Sequence, residues 1–179
     1  GLPDKTAERV REAIDRKAEA ELLAVLRETP HVPPIASRAL IALPRLAGGA
    51  EILSEAEAFC LNTGMMAALA NLSAVAQLLE AYGVSDSVTY DLAEVRDLDY
   101  YTGVTFEGFA RGIGFNLISG GRYDDLIGHF GPGFPAVGWA LTLDRILLAC
   151  ELQGLRWEEP AADLLLSAGD CTECLSWAR

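Results

Sequence analysis

The spacing of apolar residues changes near Val84, and this change limits the folds that the chain can adopt. Before it, Val10, Ile14, Leu22 and Leu26 recur at the three- and four-residue intervals of helices. After it, β-branched and aromatic residues alternate with polar ones in short runs. Strands that follow one another through short turns and then a helix indicate an antiparallel sheet with packed helices. The sequence therefore predicts an α+β fold in which an all-helical block precedes such a sheet.

The first part of the chain is predicted to contain four helices, whose leucines and methionines are expected in the core. They cover Pro3–Arg27, Ile35–Leu43, Glu51–Leu61 and Met65–Tyr82. Gly83 is expected to end the last of them.

Short strands dominate the prediction for the second part. They cover Ser87–Leu92, Thr102–Ala110, Gly112–Ile118, a buried run Ala136–Leu141 and, near the end, Leu164–Ser167. A tight turn at Arg111-Gly112 joins the second and third, and helices are predicted over Tyr123–Phe130 and Thr142–Gln153. We expect three segments, residues 1–83, 84–154 and 155–179. Since the chain starts without Met and stops after a new apolar run, a fragment of a longer protein is expected.

The bulk composition argues against several classes of function. The formal charge is −12, so the chain lacks the positive footprint of a nucleic-acid binder. No secretory signal and no apolar run close to about 18 residues are visible, so we expect a cytoplasmic protein without membrane partners. Cys171 and Cys174 have metal-ligand spacing, but a second pair and a nearby His are missing, so no metal site is expected.

Tyrosines, arginines and a glycine pair at predicted strand ends indicate a pocket for a small polar ligand with a flat ring. Arg96 is suited to hold a carboxylate or phosphate, or else to form an internal salt bridge, and its position does not decide between them. Tyr100 and Tyr101 point to opposite faces if the chain is extended there. Gly120 and Gly121 allow close approach of a ligand to the backbone.

Two more side chains have alternative interpretations. Tyr123, two residues after the glycine pair, suits recognition of an amine or imidazole nitrogen, or is a core tyrosine. Arg145, in the first turn of a helix, contacts a phosphate or carboxylate, or forms a structural ion pair. Neither His31 nor His129 has a hydrolase partner by spacing, and no Walker A or GxGxxG run occurs.

Three runs together resemble a known family. Arg96-Asp97-Leu98-Asp99-Tyr100-Tyr101-Thr102-Gly103 resembles the histidine-binding signature of histidyl-tRNA synthetases, and Gly120-Gly121-Arg122-Tyr123-Asp124 resembles their second signature. The run from Pro135 to Arg145 resembles motif 3 of class II aminoacyl-tRNA synthetases. The resemblance implies a class II synthetase-like core fragment, with the helical block as the insertion that precedes it.

Two kinds of protein share these runs: the synthetases and the regulatory subunits of ATP phosphoribosyltransferase. The regulatory subunits are favoured, because Asp97, Asp125 and Thr142 stand where synthetases usually have glycine. A side chain at position 142 would crowd the adenine of ATP. The alternative is a synthetase fragment that activates histidine with ATP and charges tRNA.

The resemblance also implies roles for individual residues. Arg96, Tyr100, Tyr101, Gly120, Gly121 and Tyr123 would form a histidine site, and Arg145 would be the remnant of a nucleotide site. A regulatory subunit would carry no catalytic residue and no cofactor. It would form a homodimer within a hetero-oligomer that contains the short-form catalytic subunit, and would sense histidine, the end product of the pathway.

Overall fold

The computed structural model describes residues 2–95 and 100–155. Its helices are α1 (Asp4–Asp15), α2 (Glu19–Glu28), α3 (Pro34–Ala42), α4 (Glu51–Ala56), α5 (Thr63–Ala81) and α6 (Leu143–Leu152). Its strands are β1 (Ala47–Gly48), β2 (Tyr90–Asp91), β3 (Thr105–Gly108), β4 (Ile118–Arg122) and β5 (Val137–Leu141). Short 3-10 turns lie at Leu43–Arg45, Glu57–Phe59, Ser85–Ser87 and Ile127–His129. The predicted strand Leu164–Ser167 lies outside the described residues.

The prediction of one helix over Pro3–Arg27 is wrong, because the chain turns back at Lys17. Lys17 has a φ of +52°, and its N–H donates to the Ile14 carbonyl at 2.9 Å. The Ala18 N–H donates to the Ala13 carbonyl at 2.8 Å, which completes a Schellman motif. A salt bridge of 2.6 Å from Lys17 Nζ to Asp91 Oδ2 accompanies this left-handed conformation. The reversal lets α1 pack against α2.

The end of α5 follows the sequence more closely. Gly83 has a φ of +72°, and the Val84 N–H donates to the Leu79 carbonyl at 3.1 Å. This is again a Schellman motif, here with the glycine that the left-handed position favours. At the other end, the Asn62 side chain caps α5 by accepting from the Met65 N–H at 2.9 Å. The predicted end of this helix at Gly83 is confirmed.

Two apolar clusters form the core of the helical block. The first joins α1, α2 and the segment after β2 through Val10, Ala13, Ile14, Leu22, Val25, Leu26 and Ala93. The second joins α4, α5 and β2 through Leu46, Ile52, Leu53, Ala56, Leu69, Ala76 and Tyr90. The strand predicted over Ser87–Leu92 is shorter in the structure and consists only of β2. It pairs antiparallel with β1 and brings Tyr90 opposite Gly48.

The second sheet has the strand order β3-β4-β5. The Arg122 N–H donates to the Val104 carbonyl at 3.0 Å and the Leu117 N–H to the Gly108 carbonyl at 2.7 Å, a pattern that makes β3 and β4 antiparallel. A turn does occur at the predicted place, since Gly112 has a φ of +85°. The strand predicted over Gly112–Ile118 is wrong, because β4 begins only at Ile118.

Two further elements of this region differ from the prediction. The helix predicted over Tyr123–Phe130 is only the 3-10 turn Ile127–His129, because the Tyr123 N–H donates to the Ala136 carbonyl instead. The strand β5 forms where predicted but is not buried: the Trp139 side chain is 62% exposed. β5 is the last strand in the order of this sheet, so one of its edges is unpaired among the described residues.

The described residues fall into two compact units. The first consists of those in Gly1–Thr105 and Gly121–Gly138, and the second of those in Phe106–Gly120 and Trp139–Arg179. The first contains both apolar clusters. The second contains α6 and the loop between β3 and β4.

The helix α5 is unusually apolar. It has 19 residues and a mean hydropathy of 1.2, so by length and composition alone it could cross a membrane, and only 11% of this window is buried. It is the one such helix among the described residues, whereas the sequence predicted no apolar run close to about 18 residues. Core helices of soluble proteins also meet this criterion, so a single such helix is weak evidence.

Candidate functional site

Three tyrosine rings gather in the first unit. The centroids of Tyr100 and Tyr101 are 4.5 Å apart, with their planes inclined by 42°. Tyr123 meets Tyr100 edge to face, with a centroid distance of 5.8 Å and an angle of 81°. The opposite-face arrangement expected for an extended chain does not form, because Tyr100 lies in a turn. Aromatic pairs of this geometry are favourable, and each tyrosine also carries a phenol hydroxyl that can form a hydrogen bond.

The strand β4 carries the glycine pair, and both Gly120 and Gly121 are buried. A Cβ at Gly121 would lie 2.7 Å from two ring atoms of Tyr101 and 3.0 Å from the Val104 carbonyl oxygen. The Tyr101 ring packs directly against the backbone of β4, so any side chain at position 121 would overlap it. The predicted close approach to this backbone is made by a side chain of the protein itself.

Tyr123 likewise packs against a glycine, in this case Gly138 of β5. A Cβ at Gly138 would collide with the Tyr123 hydroxyl and would lie 3.1 Å from Cε1 and Cζ of its ring. The Tyr123 N–H also donates to the Ala136 carbonyl at 2.8 Å. Gly138 lies within the run from Pro135 to Arg145, and its role becomes visible once Tyr123 is placed against it.

Asp124 is a connecting residue to which the sequence analysis assigned no role. Its Oδ2 accepts from Arg122 Nε at 2.7 Å, and its Oδ1 accepts from the Ala136 N–H at 3.3 Å. The Asp124 N–H donates to Thr102 Oγ1 at 2.8 Å. Residues two apart on an extended chain share a face, so the spacing of Arg122 and Asp124 was a usable signal for this ion pair.

Arg145 lies in the second unit, where it contacts Asn116 and Phe115. Its Nη1 donates to the Asn116 carbonyl oxygen at 2.7 Å and to Asn116 Oδ1 at 2.5 Å. Its guanidinium carbon lies 5.3 Å from the centre of the Phe115 ring, a cation–π distance. Asn116 Nδ2 in turn donates to Glu107 Oε1 at 2.6 Å. Asn116 is 29 positions away in sequence, and no local signal pointed to this contact.

The remaining charged groups place few constraints on function. Arg96 lies outside the described residues, and so do Cys171 and Cys174. Among the described residues, no group of three or more His, Cys, Asp or Glu side chains is arranged to hold a metal ion. The hydrogen bond from Arg45 lowers the pKa of Glu19 below its usual value, and the same pair raises the pKa of Arg45. This pair links α2 to the turn after α3 and is structural.

Comparison with known proteins matches this chain to one family. The family described as histidyl-tRNA synthetase matches residues 1–146. An ATP phosphoribosyltransferase regulatory subunit from Geobacter sulfurreducens is 44% identical over 151 residues, which cover 84% of this chain and 34% of that protein. The chain thus spans about a third of the length of the curated relatives it matches.

Solved structures agree with this assignment. The crystal structure of an ATP phosphoribosyltransferase regulatory subunit/histidyl-tRNA synthetase from Bacillus halodurans has a TM-score of 0.73 and 31% identity, covering 82% of this chain and 38% of that one. A histidine–tRNA ligase subunit from Alicyclobacillus acidocaldarius has a TM-score of 0.64 and 28% identity, covering 86% and 50%. The predicted α+β fold and the predicted resemblance are confirmed. Many curated relatives at 33–44% identity are named as ATP phosphoribosyltransferase regulatory subunits, and the chain belongs to the histidyl-tRNA synthetase family.

Proposed function

We propose that this chain is part of a non-catalytic regulatory subunit of ATP phosphoribosyltransferase, which acts in the first step of histidine biosynthesis and senses histidine. The names of the curated relatives support the regulatory role. The single observation that carries histidine binding is the gathering of three tyrosine rings beside β4.

The proposed histidine site consists of Arg96, Tyr100, Tyr101, Gly120, Gly121 and Tyr123. An imidazole is a flat ring with two nitrogens, and tyrosine offers both a ring face for stacking and a hydroxyl that can donate or accept. Tyr100 is 38% exposed, so part of the cluster is open to a ligand. Arg96 would pair with the carboxylate of the amino acid.

The loss of aminoacylation is supported by the surroundings of Arg145. Its Nη1 is already bonded twice to Asn116, so this nitrogen is not available to an ATP phosphate unless that contact opens. Thr142 adds a side chain just before α6, where the synthetase pattern has glycine. We therefore assign Arg145 to a vestigial nucleotide site and propose no catalytic residue or cofactor.

The proposed assembly follows from the same assignment. A homodimer of the regulatory subunit would associate in the cytoplasm with the short-form catalytic subunit, without nucleic acid or membrane. Within it, residues 1–83 would act as a helical insertion, residues 84–154 as the end of the synthetase-like core, and residues 155–179 as the start of a further element. A ligand that prefers one assembly state shifts the equilibrium by its differential affinity.

The alternative function is histidine activation by a synthetase. One observation favours it: the Alicyclobacillus acidocaldarius structure, at 28% identity, is named as a histidine–tRNA ligase subunit. Under this alternative Arg145 would leave Asn116 and contact ATP.

Calorimetric titration of the full-length protein that carries this chain, first with histidine and then with ATP-Mg, separates the two functions. The proposal expects binding of histidine alone. Binding of both ligands together with histidine-dependent pyrophosphate exchange would establish the synthetase instead, and binding of neither would refute the histidine site.

Variants of two tyrosines then locate the site. Tyr123→Phe removes one hydroxyl from the cluster and should weaken histidine binding by about three- to tenfold, the value of one hydrogen bond. Tyr82→Phe makes the same change at a residue that is 81% exposed at the end of α5, and should leave the Kd for histidine unchanged.

A further inference from the structure

The hydrogen bonds of Asp124 connect three segments that the sequence keeps apart. Its carboxylate binds Arg122 at the end of β4 and the N–H of Ala136 just before β5. Its own N–H donates to the hydroxyl of Thr102, in the segment before β3. The side chain and the backbone N–H of this one residue therefore link the end of β4 to the segments before β3 and β5.

Each of these bonds lies next to a tyrosine. Thr102 directly follows Tyr101, and Tyr123 directly precedes Asp124. The Thr102 N–H also donates to the Arg122 carbonyl at 2.8 Å, and the Tyr123 N–H to the Ala136 carbonyl at 2.8 Å. The backbone that supports Tyr101 is thus tied to the Asp124 N–H and to the Arg122 carbonyl, and the backbone that supports Tyr123 is tied to Ala136, whose N–H donates to the Asp124 carboxylate.

We propose that Asp124 is a positioning residue of the histidine site, which holds the Tyr101 and Tyr123 rings at the separation that the ligand requires. This inference rests on the proposed function. Asp124 itself need not touch the ligand, because its carboxylate is engaged by Arg122 and Ala136. A charge-assisted hydrogen bond such as that from Arg122 is stronger than a neutral one. Its loss should therefore let the Tyr101 and Tyr123 rings move relative to each other.

The neighbouring residues provide a matched test. Asp124→Asn keeps the size but has only one acceptor oxygen, so it cannot accept from both Arg122 Nε and the Ala136 N–H through two different oxygens, and it loses the charge that strengthens the bond from Arg122. Asp125→Asn makes the same change of charge one position later, at an exposed side chain. We expect the Kd for histidine, measured by calorimetry on the full-length protein, to rise about tenfold in the first variant and to stay unchanged in the second.

A second readout distinguishes positioning from a general loss of stability. With 3-fluorotyrosine incorporated, Asp124→Asn should shift or broaden the fluorine resonance of Tyr123 in the folded protein, and Asp125→Asn should not. A lower urea midpoint with an unchanged Kd and unchanged resonances would mean that Asp124 is only structural, which would overturn the inference.

A pair of variants at exposed Thr102 covers the case in which Asp124→Asn fails to fold. Thr102→Val removes the oxygen that accepts from the Asp124 N–H, and Thr102→Ser keeps it. Weaker histidine binding in the valine variant with recovery in the serine variant supports the inference, and equal Kd values in both overturn it. If the unaltered protein does not bind histidine, the proposed function fails; if it binds and Asp124→Asn matches Asp125→Asn, only the positioning role fails.

Discussion

Gly121→Ala should destabilise the first unit, because the added methyl group has no room. Its Cβ would lie 2.7 Å from Cδ1 and Cε1 of Tyr101 and 3.0 Å from the Val104 carbonyl oxygen. Carbon atoms in contact are normally about 3.5–4.0 Å apart, so the ring or the strand must move by close to 1 Å. An aromatic ring and a backbone carbonyl are both stiff, so neither can yield cheaply.

The expected magnitude combines two opposing effects. Overpacking of a site of this kind typically costs about 1–3 kcal/mol. Replacing glycine by alanine also lowers the conformational entropy of the unfolded chain, which raises the free energy of unfolding by about 0.4–1 kcal/mol. We therefore expect the free energy of unfolding to fall by about 1–2 kcal/mol. Under the proposed function, the Kd for histidine should also rise, because the added methyl group displaces the Tyr101 ring from its position against β4.

Urea unfolding of Gly121→Ala and Gly128→Ala provides the assay. At Gly128 the nearest atom to an added Cβ is the Gly133 Cα at 3.8 Å, an ordinary contact, so this matched change should be neutral or slightly stabilising. A double-mutant cycle with Tyr101→Ala tests the cause, because removing the ring should remove most of the cost of Gly121→Ala. Equal costs at positions 121 and 128, or no coupling with Tyr101, would refute the reasoning.

Three further predictions concern the helical block. Gly83→Ala should lower the free energy of unfolding by about 1 kcal/mol, because a Cβ is strained at a φ of +72°; the urea midpoint tests this, and a neutral result would contradict it. Asn62→Ala should cost about 1 kcal/mol by removing the cap on Met65, whereas Asn62→Ser should retain most of it in the same measurement. Because the folded pKa of Glu19 is lowered by Arg45, the stabilisation by this pair is complete above the usual carboxyl pKa and is lost as the pH falls through the lowered value. Glu19→Gln should therefore flatten the decline in urea midpoint between neutral pH and a pH below about 4, and an unchanged decline would show that the pair contributes nothing.

Positions where local chemistry alone dictates the backbone were predictable. The change in apolar spacing near Val84 separated the helical part from the strand-rich part, and a glycine after an apolar helical run marked the end of α5. The three family runs rest on residue identity, which was read from the sequence and needs no coordinates. These signals are local, so the rest of the chain does not have to be known.

Positions where long-range packing decides were not predictable. Lys17 takes a left-handed conformation that its side chain does not favour, and α1 and α2 form two helices where the helical spacing predicts one. The strand predicted over Gly112–Ile118 did not form, and within this segment the Asn116 carbonyl accepts from Arg145, which is 29 residues away. These outcomes depend on contacts between distant segments, which periodicity cannot register.

The same distinction between local and long-range information applies to the candidate site. The sequence by itself determined which side chains are present for a flat polar ligand: the tyrosines, the glycine pair and the arginines. Only the tertiary structure decided how they are used, because the ring of Tyr101 fills the space that Gly121 leaves open and Asp124 ties the segments of the tyrosine cluster together. The physical reason is that residue type fixes the chemistry of a group, whereas its partners depend on which distant segments the fold brings within hydrogen-bond and van der Waals distance.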